Sequence, residues 1–226
     1  MQTSLPSLSR LLLAVALISP LQVSGQGRRA PQEDVLLRSA RIGAVPLPAP
    51  SAFEAALQAS GTPGGVAFVE GCSGQPPPMV RPHGITLREV LNSITAGDST
   101  YVWRKRRGVV NLEPSTGLPA LLRTHLDSYD SGGVPDAVSA VTFLSSSPQV
   151  TRAAAKLRLA QNALGPGLGS MVQGTPPPKK PLGIRLHDVT LLDALNAIAQ
   201  ANKHGVWVYR ETHCGSVHQF NVSFAQ

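Results

Sequence analysis

The residues with most capacity for chemistry in this 226-residue chain lie near its end, in "HCGSVH" (213–218). Two imidazoles and a thiol around a glycine turn are donors of the kind that hold zinc or copper. His204 stands nearby in sequence. The spacing fits no standard metal site and has no counterpart earlier in the chain. A polar turn is therefore the expectation, and no metal is assigned. His83 and His187 occupy matching places in two related stretches, each shortly before a helix start. No carboxylate or nucleophile recurs with them. A shared local role, such as a bond to a backbone carbonyl, is expected for both; His125 recurs with neither.

Other catalytic sets are missing. There is no G-x-S-x-G elbow and no P-loop or G-x-G-x-x-G phosphate cradle; "GPGLGS" (165–170) lacks the strand before it and the helix after it. The 13 acidic residues are scattered, with no paired carboxylates suited to general acid–base work. No catalytic or cofactor-binding residue is assigned, and a non-enzymatic protein is expected. Cys72 and Cys214 are the only cysteines. In an oxidising compartment such a pair can form a disulfide. Sequence leaves the pairing open, because a bridge requires Cα atoms within about 7 Å.

The elements that position these residues come from a duplication. "HGITLREVLNSITAGDSTYVW" (83–103) returns as "HDVTLLDALNAIAQANKHGVW" (187–207), 104 residues later and without a gap. The two tryptophans, Trp103 and Trp207, fall at the same place in the two copies. Thr86 and Glu89 have capping-box spacing, matched by Thr190 and Asp193. Leu87, Val90, Leu91 and Ile94 follow helical spacing, as do Leu191, Ala194, Leu195 and Ile198. Each helix is expected to end near Gly97-Asp98 or Asn202-Lys203. A hairpin then follows, with turns at Arg107-Gly108 and Cys214-Gly215-Ser216.

Upstream, Ser51 and Glu54 suggest another capping box before a helix carrying Phe53, Ala56 and Leu57. "GGVAFVEGC" (64–72) reads as a buried strand. In the second copy Ser147 and Pro148 suit an N-cap and first helical residue, ahead of Val150, Ala153, Ala154 and Leu157. "MVRPHGIT" (79–86) and "LGIRLHDVT" (182–190) read as short strands leading into the capped helices. The expected architecture is α+β: two small sandwich modules, each of two helices packed on short mixed or antiparallel sheets. Residues 46–114 form module 1 and 137–226 form module 2, with an exposed Gly/Pro-rich loop at 165–181. Residues 26–45 are a lead-in and 115–136 a linker.

The N-terminus reads as an export signal. Arg10 precedes the apolar run "LLLAVALI" (11–18), then Pro20 and small residues, with cleavage expected after Gly25. The run is far shorter than the ~20 residues of a spanning helix, so no membrane span is expected in the mature chain. The net charge is +7, and the densest basic run, "RKRR" (104–107), reads as a solvated hairpin tip. A basic exported protein suits an anionic envelope surface; nucleic acid is not an expected partner. "NVS" (221–223) would matter as a glycosylation site only in a eukaryotic secretory pathway.

The pattern of apolar spacings resembles the short N-terminal (STN) domain of secretins and TonB-dependent receptors. The resemblance is carried by "PSAFEAALQASGTPGGVAFVE" (50–70) and "GITLREVLNSITAGDSTYVWRKRRGVVNLEP" (84–114), and in the second copy by Leu182 to Phe224. It implies a bacterial periplasmic domain that binds other envelope proteins. The chain departs from those families in offering no β-barrel, secretin pore or TonB-box-like segment.

In the strand at 206–209, Val206 and Val208 share one face and Trp207 and Tyr209 the other. Both faces are apolar, so one must be covered by the other module or by a partner. Trp207, Tyr209 and Trp103 are accordingly the expected interface residues. The functional expectation is a periplasmic or secreted protein-interaction module, with another envelope protein, or a second copy, as partner. The alternative is a binding module for a small molecule or cell-wall glycan at the junction between the modules.

Overall fold

Both halves of the chain repeat one element order. The first half contains β1 (Leu47–Pro48), α1 (Ala49–Ser60), β2 (Gly64–Gly71), β3 (Met79–Val80), α2 (Leu87–Gly97), β4 (Tyr101–Arg106) and β5 (Val109–Pro114). The second contains β6 (His125–Asp130), α3 (Ala137–Ser145), α4 (Pro148–Lys156), β7 (Ala160–Gln161), β8 (Arg185–Thr190), α5 (Leu191–Asn202), β9 (Val206–Cys214) and β10 (Val217–Ala225). This computed structural model describes residues 34–40, 42–43, 45–72, 76–162 and 181–226. The expected export segment and nearly all of the Gly/Pro-rich loop lie outside them. The fold is α+β, and no helix among the described residues is long and apolar enough to cross a membrane.

Local chemistry explains most boundaries. The Thr86 hydroxyl accepts from the Glu89 amide, while the Glu89 carboxylate accepts from the Thr86 amide, so α2 starts on a complete capping box. Thr190 likewise accepts from the Asp193 amide at 3.1 Å to start α5. Leu87, Val90, Leu91 and Ile94 are fully buried, and so is their counterpart stripe on α5. The β4–β5 turn places Arg107 at φ 49° and Gly108 at φ 86°. Two consecutive left-handed residues give a hairpin turn whose twist matches its strands.

The two modules are not separate sandwiches. One six-stranded sheet runs through both, in the order β4-β5-β2-β9-β10-β7. Strands β2 and β9 join the halves in parallel, with Gly64 opposite Val206 and Gly71 opposite His213. Each half contributes three strands in the same order: hairpin strand, hairpin strand, upstream strand. The hairpin pairs antiparallel and the upstream strand parallel in both halves, and because β2 and β9 are parallel, each strand of the second half runs opposite to its counterpart in the first. The halves are therefore related by a half-turn about an axis along the sheet, together with a shift of three strands.

This operation also swaps faces. Helices α1 and α2 pack on one face with Val66, Val110 and Leu112; α3, α4 and α5 line the core on the other face with Trp207, Tyr209, Phe220 and Phe224. Because neighbours on a strand alternate faces, Val206 of the second half belongs to the first half's core, and Ala67 of the first half belongs to the second's.

Several expectations are corrected. The 115–136 segment is no linker: Leu121, Leu122, Leu126 and Tyr129 lie in the second core, and β6 pairs antiparallel with β8. It matches the β1–β3 pair of the first half. Module 2 has an additional helix, α3, capped by the Asp136 carboxylate on the Ser139 amide at 2.7 Å. Helix α1 starts earlier than the Ser51–Glu54 spacing suggests, with Pro48 as N-cap; Glu54 accepts instead from Gln58, one turn on. Leu157 falls just past α4 and is exposed. In the lead-in, Leu36 and Ala40 are buried against the first core.

Close approach of β2 to its neighbours dictates two of its three glycines. A Cβ at Gly64 would meet the Val110 carbonyl oxygen at 2.6 Å, and one at Gly65 would lie within the Trp207 indole. The indole is fully buried and bonded to Asn196 of α5, so it has little room to shift. Gly65→Ala should therefore destabilise the protein by about 2–3 kcal/mol or more, as overpacked cores do. Urea unfolding monitored by circular dichroism measures this, and a wild-type midpoint would refute the close-packing account.

Candidate functional site

Chemically distinctive side chains gather along the β2–β9 junction. Near its start Trp207 is fully buried, and its indole Nε1 donates to Asn196 Oδ1 of α5 at 2.9 Å. The first half repeats the bond: Trp103 Nε1 donates to Asn92 Oδ1 of α2, also at 2.9 Å. The two asparagines lie 104 residues apart, as the tryptophans do. The environments differ, since Trp207 sits beneath Gly65 of β2 whereas Trp103 is only half-buried on the outermost strand.

Past the end of this pairing, Cys72 and Cys214 form a disulfide with Cα atoms 5.0 Å apart. The bridge closes the parallel strand pair one residue beyond the Gly71–His213 register. The register that aligns Gly65 with Trp207 also brings the sulfurs together, so the bridge staples one half to the other.

Beside it runs a polar chain. Tyr209 donates its hydroxyl to Glu211 Oε2, Glu211 Oε1 lies 2.7 Å from His213 Nε2, and His213 Nδ1 meets His218 Nδ1 across the hairpin. Burial, together with the bond to Glu211, pushes the Tyr209 hydroxyl far above its usual range. This chain fixes the strand end. Among the described residues no group of three His, Cys, Asp or Glu side chains is placed to hold a metal.

A second polar cluster covers the β4–β5 hairpin. Glu113, nearly buried, accepts from Arg106 at 3.0 and 3.2 Å and lies 3.4 Å from Arg104. Asp34 takes Lys105 at 2.8 Å and Arg88 at 3.3 Å. The Lys105 ammonium beside Asp34 holds that carboxyl below the usual range.

Comparison with family models, curated proteins and solved structures yields no match. The site is thus read from its own geometry.

The sequence-derived residues fall out unevenly. Cys72 and Cys214 come together. Trp207 and Tyr209 do not face a partner molecule: both are buried, and the cover that the two-sided strand demanded is the other half of the chain on one face and α5 with Phe220 on the other. Of the three expected interface residues only Trp103 retains an accessible ring. His213 and His218 meet, while His125 pairs elsewhere, with Asp188 at 2.9 Å. The His83 ring lies 3.3 Å from the Arg81 carbonyl oxygen. The junction between the modules is filled by strand pairing; an open hollow of about 370 Å³ lies instead over α4, lined by His125, Asp127, Arg152 and Lys156 among others. Asn92, Asn196, Glu211 and Gly65 were not singled out in sequence. The repeat did carry a signal for the asparagines: the same polar residue at the same place in both copies, 11 residues before each tryptophan.

Two outcomes follow from burial. Asn196→Ala strands a buried indole donor and should cost about 1–3 kcal/mol, whereas Asn92→Ala exposes a donor that water reaches and should cost well under half as much. Equal losses in paired urea titrations would show that the two bonds share one environment. Reduction of the Cys72–Cys214 bridge, which spans 142 residues, should lower stability by about 2–5 kcal/mol. An unchanged melting midpoint in dithiothreitol would contradict the stapling role.

Proposed function

We propose that this protein is a non-enzymatic interaction module of the bacterial cell envelope, built from two STN-like units and acting by binding another envelope protein. The observation that carries the reading is the junction itself. The two units associate by adding one strand, β2, to the edge of another, β9, and the resulting sheet still ends in two outermost strands, β4 and β7. Strand addition to an exposed edge is a general mode of protein recognition, in which main-chain bonds supply affinity and side-chain pockets supply selectivity. A disulfide suits an oxidising compartment such as the periplasm, in keeping with the export signal expected at residues 1–25.

Affinity capture of the tagged protein from native envelope extract, followed by calorimetry with each purified candidate, tests this. A single envelope protein binding directly with a Kd in the micromolar range or tighter is expected. A folded protein that binds none of the retained candidates, yet shifts its melting temperature with a cell-wall glycan or small molecule, would overturn the reading in favour of ligand binding.

A further inference from the structure

The half-turn that relates the two halves makes every contact at the junction a template for a contact at the open end. In the second half the edge of β9 is covered: β2 lies parallel to it, Gly65 sits beneath the Trp207 indole, and Val206 packs into the opposite core. The corresponding edge in the first half is that of β4. There Trp103 is anchored by the same bond to the same helix position, yet it and Val102 are only half-buried. Both line a hollow of about 380 Å³ with Thr95, Ser99 and Tyr101. The counterparts of Thr95, Val102 and Trp103, which are Ala199, Val206 and Trp207, are all fully buried. What closes this place in the second half is a strand of the first half.

We propose that the outer edge of β4 is a strand-acceptor site for an extended acidic segment of another polypeptide, running parallel to β4 with a glycine or other small residue opposite Trp103. The proposal rests on the interaction reading above and names its surface. The small residue follows from the template, since at the position of Gly65 even a Cβ would overlap the indole. The acidic character follows from charge. Arg210, the counterpart of Arg106, is bound by Glu70 of β2, with Nε to Oε2 at 2.8 Å. Glu70 lies two residues beyond the one opposite Arg210. On β4 and the adjacent start of α2 four cations, Arg104, Lys105, Arg106 and Arg88, share two carboxylates, Asp34 and Glu113. Positive charge on an edge discourages indiscriminate pairing and favours a negative strand.

A second copy of this chain fits the edge poorly. Its own open strand, β7, spans only Ala160–Gln161 and follows closely on Lys156 and Arg158, so cations would meet cations.

The probe is the strand that fills the template: a synthetic peptide of residues 63–71, PGGVAFVEG, titrated into the isotope-labelled full chain and followed by NMR. At about 1 mM peptide, the millimolar regime expected of one short strand, the Trp103 indole and the β4 amides should shift, the edge amides should gain exchange protection, and Trp207 should not move. A peptide carrying Gly65→Val should give no response, and one carrying Glu70→Lys should bind several-fold more weakly. Silence at β4, or an equal response to the Gly65→Val peptide, would overturn the proposal. So would concentration-dependent self-association of the chain alone that is abolished by Trp103→Arg, which would make a second copy the occupant. If a captured envelope protein binds Trp103→Arg as well as wild type, at an unchanged melting midpoint, this edge is excluded while the interaction reading stands. If the peptide binds β4 but no envelope protein is captured, the edge stands and the envelope assignment falls.

Discussion

Everything in this molecule is arranged around the contact of one indole with one missing side chain. Trp207 lies where the Cβ of residue 65 would be, so β2 and β9 can approach to hydrogen-bonding distance only because residue 65 is glycine. Burial of a tryptophan contributes on the order of 5 kcal/mol before the entropy of ordering it is counted. Asn196 keeps the indole nitrogen satisfied in a dry site. The parallel register that results places Val206 in one core and Ala67 in the other, brings Glu70 within reach of Arg210, and brings Cys72 to Cys214. None of these is independent of the others.

A head-to-tail relation between repeats has consequences that a symmetric pairing lacks. In a self-complementary contact the two surfaces satisfy each other, whereas here, among the described residues, no strand pairs with the edge of β4 that corresponds to the one used by β9. Trp103 and Trp207 are thus one residue type in one local bond, with opposite burial.

How much of this could be read from the sequence differs by element. The two capped helices and their hairpins were legible, because Thr86, Glu89 and the apolar stripes are local signals whose period survives in each copy. The strand 64–71 was legible as a strand, but only its first half, residues 64–67, is buried as expected; Val69 and Gly71 are exposed. The sharing of one sheet was not: nothing local in "GGVAFVEG" says that its neighbour lies some 140 residues on. Segment 121–145 was missed in part for the same reason. The buried Leu126 and Tyr129 stand three apart, which breaks the two-residue period of a strand, and their pairing strand, β8, lies beyond a long intervening stretch. Helix α3 is apolar on most sides, so its period is weak. Among functional residues the cysteines announced themselves by rarity, whereas the asparagines carry no local signal of the tryptophans they bond 11 residues on.

The exchange of Val206 and Ala67 between cores bears on how the chain matures. The first half, complete in sequence by residue 114, has a core that lacks a wall until a strand made almost a hundred residues later is laid against it. A chain emerging N-terminus first therefore passes a long interval with β2 unpaired on one edge and Trp207 not yet in existence to cover it. Contacts this distant in sequence are formed slowly, and an exposed edge strand is the region most exposed to wrong partners in that interval. Glycines 64 and 65, poor strand formers on their own, keep that edge weak until the tryptophan arrives, so the residues that permit the final junction also delay premature ones.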